Sequence, residues 1–106
     1  MELGSKEHKA QVCEDLIKTY YENIWKDEMY LIQLEEVKGD KRKEIAAIDL
    51  KLENKEFKTK NEGDKAKFVA ERELLQIEQE INSVTEKVQK LWPPRIQMVK
   101  DYLAKN

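Results

Sequence analysis

Glycine and proline are scarce in this chain, three of the first and two of the second among 106 residues. Strand-rich folds need frequent turns, and so few turn formers argue against one. Cysteine occurs once, at Cys13, so no disulfide can close within the chain, and no Asn-x-Ser/Thr acceptor is present. Both absences point to a reducing compartment. The only histidine, His8, and Cys13 are the only soft metal ligands, whereas a structural zinc site needs four ligands and a di-iron bundle needs paired Glu-x-x-His motifs. The three glycines, Gly4, Gly39 and Gly63, are isolated, so no glycine-rich phosphate loop exists, and a lone histidine near a terminus has no nucleophile to serve. The expectation is a non-enzymatic protein without metal or cofactor.

Long apolar runs are missing too. No stretch approaches the roughly 18 residues of a membrane span, and the first thirty residues lack the apolar core of a signal peptide. Residues 1–5 carry no weight in this reading. A soluble protein of the cytosol or nucleus is expected. The formal net charge is -2, so no global field draws the chain to nucleic acid or anionic lipid.

What is present is lysine and glutamate threaded with aliphatics: charged and hydrophobic residues each make up 40% of the chain. That balance favours long amphipathic helices, and the spacing predicts where they run. Ser5 is placed to cap a helix over 6–38, stopped by Gly39-Asp40. Its seam is Cys13, Ile17, Tyr20, Ile24, Leu31 and Leu34, with Asp27 as the one polar interruption. Beside it Tyr21, Trp25, Met29 and Ile32 form a second stripe, and Val12, Tyr30 and Val37 a third. A helix so apolar around its circumference needs cover on several sides.

A second helix is expected over 41–60 with a short seam at Ile45, Ile48 and Leu52. Asn61-Glu62-Gly63-Asp64 is the strongest interior loop signal, although a helix running through it with a solvated middle stays open. A third helix over 64–91 carries the clearest pattern, Ala70, Leu74, Ile77, Ile81, Val84, Val88 and Leu91. Trp92-Pro93-Pro94 should end it, because proline disfavours helical geometry in the residue before it and suits the first turn of a new helix. A short helix over 95–105 follows, with Ile96, Val99 and Leu103 on one side; so few residues hold helical structure only when docked.

The expected fold is all-α: an antiparallel helical hairpin or three-helix coiled-coil bundle with a short C-terminal helix after the Pro-Pro break. Glu-to-Lys pairs four apart, such as Glu14/Lys18 and Glu22/Lys26, add about 0.2 to 0.5 kcal/mol each, whereas each large buried aliphatic adds about 1.5 to 3 kcal/mol, so the seams decide stability. One small chain with this much charge is short of material to fill its own core.

The expected function is therefore non-catalytic protein association, as a structural or adaptor subunit that self-associates as a homo-oligomer or assembles with a helical partner. Candidate partner-binding residues are Trp25, Met29 and Ile32, the seam residues Leu74, Ile77, Ile81, Val84 and Val88, and Trp92, Ile96 and Val99. Tryptophan concentrates binding energy at interfaces; the competing reading is that both tryptophans close the ends of the chain's own bundle. Two other classes stay open. A small helical chaperone or inhibitor would hold an exposed face for a client. A nucleic-acid accessory protein would use Lys41, Arg42 and Lys43, a basic knot offset by Glu35, Glu36, Asp40 and Glu44, and a solvated hairpin tip explains that knot as well. Glu71, Glu73, Glu78 and Glu80 flank a seam, where charge keeps a helix soluble, and nothing around them supplies the desolvation of an acid/base site.

Overall fold

In a computed structural model that describes residues 6–105, the chain is all-α. It consists of α1 (Lys6–Glu53), α2 (Lys60–Glu86), a π-helical turn (Lys87–Leu91) and α3 (Trp92–Lys105). The expected cap Ser5 lies outside the described residues. The chain divides into two compact units, one taking the residues up to Tyr30 together with those from Val84 onward, the other Leu31–Ser83. Each unit is an antiparallel pairing of two helical stretches. In the first, Asp27 meets Trp92 and Tyr21 meets Lys100. In the second, Lys41 meets Glu73 and Asp49 meets Lys67.

The expected stop at Gly39-Asp40 is not there. The helices read as 6–38 and 41–60 are one, α1, so the chain has two long helices where three were expected. The physical reason is phase. Cys13, Tyr20, Asp27, Leu34, Lys41 and Ile48 follow one another every seven residues, and Ile17, Ile24, Leu31, Lys38, Ile45 and Leu52 do the same. The seam therefore crosses Gly39 unbroken, with Lys38 and Lys41 laying their aliphatic stems along it. A single helical glycine costs only about 1 kcal/mol against alanine, less than an unbroken seam returns.

The turn falls at residues 54–59 and not at the expected 61–64. Glu56 N–H donates to the Lys51 carbonyl at 2.9 Å and Lys55 N–H to that of Leu52 at 3.2 Å, the two bonds of a Schellman ending. The residue that must turn left-handed is Lys55, at φ 56°, where glycine is the usual occupant and a side chain costs about 1 to 2 kcal/mol. Thr59 then opens α2: its hydroxyl accepts the Glu62 N–H at 3.2 Å, and Thr59-x-x-Glu62 is a capping-box sequence. Asn61 through Asp64 form the first turns of α2. Gly63 is there for space: a Cβ would sit 2.2 Å from Leu52 Cδ2 and 2.8 Å from Phe57 Cδ2.

Nor do the prolines break the helix. Trp92 keeps helical angles, φ -72° and ψ -45°, and its N–H donates to the Lys87 carbonyl five residues back. A proline ring collides with the carbonyl four residues earlier in a regular helix, here those of Gln89 and Lys90; widening the preceding turn to π geometry moves them aside. The same extra residue resets the seam. Through α2 it runs Ala70, Leu74, Ile77, Ile81, Val84 and Val88; beyond the π turn it continues as Trp92, Ile96, Val99 and Leu103, one residue later than a strict heptad would place it. The helix expected at 95–105 thus begins at Trp92, directly against the π turn.

The two interior glycines predict opposite outcomes. A Cβ at Gly39 would meet nothing within 4 Å, so Gly39→Ala should raise stability by about 1 kcal/mol, the helix-propensity gain. Gly63→Ala should lower it by about 1 to 2 kcal/mol, since overpacking outweighs that gain. Urea denaturation followed by circular dichroism measures both, and an equal rise in the two variants would refute the close approach at Gly63.

Candidate protein-interaction surface

In the first unit, Cys13 from α1, Val84 from the end of α2 and Ile96 from α3 are buried. Ile17, Tyr20, Ile24, Val88 and Val99 are half-buried around them. Asp27, the polar interruption of the α1 seam, accepts a hydrogen bond from Trp92 Nε1–H at 2.8 Å. That bond satisfies both the indole donor and a carboxylate placed among apolar neighbours, and bonds to a charged acceptor are the stronger kind. The Trp92 ring lies 5.8 Å from that of Tyr20, tilted by 33°, and the Arg95 guanidinium stands 5.7 Å from its centroid. Of the two tryptophans, Trp92 is thus engaged within the unit. Lys100 closes one edge: its ammonium donates to Tyr21 Oη at 3.2 Å and sits 5.7 Å from that ring.

In the second unit, Leu34 and Ala70 are buried, while Leu74, Ile77, Ile81, Ile45, Ile48 and Leu52 are half-buried. A pair of helices encloses its seam from one side only, and among the described residues no large side chain is fully enclosed. The seam residues expected to bind partners therefore form the inner face of each helix pair, incompletely covered. Lys41 is turned onto this seam, where its ammonium bonds Glu44 at 2.7 Å and also Glu73. Arg42 lies 3.9 Å from Glu78, and Lys43 is exposed. The basic knot stands in mid-helix and not at a hairpin tip, with carboxylates against two of its three cations. Lys67 makes a second link between the helices, 2.8 Å from Asp49 and 3.9 Å from Glu71. The hydrogen bond to Glu44, then that to Glu73, holds the Lys41 ammonium above its ordinary pKa, and the bond to Asp49 does the same for Lys67. Beside the linked helices a groove of about 420 Å³ is lined by Glu44, Ile48, Ala66, Val69, Ala70 and Glu73 among others.

The outer faces carry much of the remaining apolar surface. Trp25 is 61% exposed in the first unit, and Tyr21 and Met29, four residues either side of it on the same helix face, are exposed with it. Glu22 and Glu28 stand three residues either side of Trp25, with Lys18 seven residues before it and the Lys100 ammonium over Tyr21. Ile32, in the second unit, is 62% exposed. Sequence reasoning passed over Phe68, 64% exposed, and Leu75, also exposed; they lie seven apart on α2, outside the seam, and that spacing was the available signal. Met98 on α3 is exposed as well.

Among the described residues no group of three or more His, Cys, Asp or Glu side chains is gathered as for a metal ion, and no helix is long and apolar enough to cross a membrane. Comparison with family models, curated proteins and solved structures yields no match.

Two measurements test the internal links. Trp92→Phe and Asp27→Ala should each destabilise by about 1 to 3 kcal/mol, and the double variant should cost much less than their sum, since each single change removes the same bond; strict additivity in a denaturation cycle would show that the bond does not form. Lys67 has a folded pKa raised above its ordinary 10.5. Its ion-pair contribution is thus fully present below pH 10.5 and lost as pH rises through the folded value, the direction for a cation that gains a partner. Alkaline denaturation should accordingly be shallower in Lys67→Met than in the parent chain, and identical slopes would discount the pair with Asp49.

Proposed function

We propose that this chain is a non-catalytic association subunit, a coiled-coil element whose outer α1 face is covered by a helix of another polypeptide. The observation that carries the reading is Trp25, a large aromatic left in solvent with Tyr21 and Met29 on a regular helix face, while Trp92 is held by Asp27 and Tyr20. Contiguous exposed apolar side chains on a helix are the usual mark of helix-to-helix recognition. The half-covered seams support the same reading, since a further helix laid beside a pair deepens its burial. A second copy of the chain is the leading occupant: it is always available, and a net charge of -2 raises little repulsion between copies.

A specific observation favours a second reading. Glu22 and Glu28 stand three residues either side of Trp25, so symmetric pairing centred on Trp25 would bring these carboxylates near one another, whereas a partner helix with basic flanks would complement them. Size exclusion with light scattering separates the two. Self-association predicts an oligomer that persists in high salt and dissociates in Trp25→Glu, with helicity retained, since a buried interface tryptophan contributes about 2 kcal/mol or more. Association with a basic-flanked helix predicts a monomer alone. An oligomer unaffected by Trp25→Glu would remove the α1 face from either reading.

A further inference from the structure

Beside the turn between α1 and α2 lies an open cleft of about 650 Å³ lined by Leu52, Lys55, Phe57, Lys58, Lys60 and Asp64 among others. That volume lies within the range of pockets that take one small organic molecule, roughly 300 to 1,000 Å³. Its chemistry is divided. Leu52 and Phe57 supply an apolar wall, both half-buried, and Lys55, Lys58 and Lys60 supply three cations against the single carboxylate of Asp64. Backbone geometry adds an independent mark. Lys55 is the only non-glycine residue with positive φ among the described residues, and it lines the cleft at a position where glycine would be the relaxed choice. A lysine there adds a cation to the cleft at the expense of backbone comfort. Gly63, by omitting a Cβ that would lie 2.2 Å from Leu52 Cδ2, lets the apolar wall sit against α2.

We propose that this cleft is a binding site for a small amphipathic anion in solution, a molecule with an apolar body against Leu52 and Phe57 and a carboxylate or phosphate head held by Lys55, Lys58 and Lys60. A charged head in this setting makes charge-assisted hydrogen bonds to ammonium groups, and the apolar wall supplies the burial that a bare anion lacks. The single-molecule size of the cleft selects a free anion over a bilayer, which needs a wide basic surface.

Calorimetric titration of the full chain with decanoate tests the proposal. Saturable one-to-one binding is expected, weakened by about tenfold or more in Lys55→Gly/Lys58→Ala/Lys60→Ala, the loss of one or two charge-assisted contacts. That variant is chosen because Lys55→Gly relaxes the strained position, and circular dichroism verifies that its helices persist. Decanol, which lacks the anionic head, and inorganic phosphate, which lacks the apolar body, should each bind far more weakly. The proposal is overturned by undetectable decanoate binding, by equal binding in the well-folded triple variant, by decanol or inorganic phosphate matching decanoate, or by association only with phosphatidylglycerol vesicles.

Discussion

Two helices laid side by side can each hide one face and no more. Every energetic feature of this chain follows from that limit. In each of its units an antiparallel pair buries a narrow strip of side chains, and the residues beside the strip are left half in water. Burial is also the largest stabilising term available: the ion pairs at Lys41 and Lys67 stand at the solvent edge, where water and salt screen them. The apolar stripe at Tyr21, Trp25 and Met29 is what remains once the inner faces have met. It lies outside the pair by geometry, since no rotation of α1 can turn two faces inward at once.

Polar groups within the seam act on register more than on strength. Asp27 with Trp92, and Lys41 with Glu73, each join residues that meet only when the two helices are in one alignment. A shift by one heptad would leave a carboxylate or an indole N–H among aliphatics with no partner. Seams that mix leucine, isoleucine and valine discriminate poorly between alignments, so these bonds supply selectivity that packing alone does not.

Much of this was legible in the residues, and the failures have identifiable causes. The inner strip, the all-helical class and the second stripe on the first helix follow directly from a spacing of three and four. The continuity of α1 was legible too, because positions 13 to 34 and 41 to 48 share a phase of seven, and that long-range period outranks Gly39-Asp40 as local punctuation. The true turn also left a trace in Thr59-x-x-Glu62, a capping sequence that outweighs Asn61-Glu62-Gly63-Asp64 once Gly63 is understood as a residue of close approach. Two features had no local signature. Lys55 occupies a left-handed position that composition assigns to glycine, and the bond between Asp27 and Trp92 joins residues 65 apart in the chain, beyond the reach of periodicity.

The widened turn at Lys87–Leu91 lets one stretch of sequence serve two incompatible demands, a proline pair that cannot sit in an ordinary helix and a recognition strip that must keep facing its neighbour. Because the surplus residue is absorbed within a single loop of backbone, helical order passes through the prolines and α3 stays against α1. It also makes this a place within the helix where a residue is absorbed without every downstream side chain being turned away from its counterpart: the helix carries, in effect, a vernier.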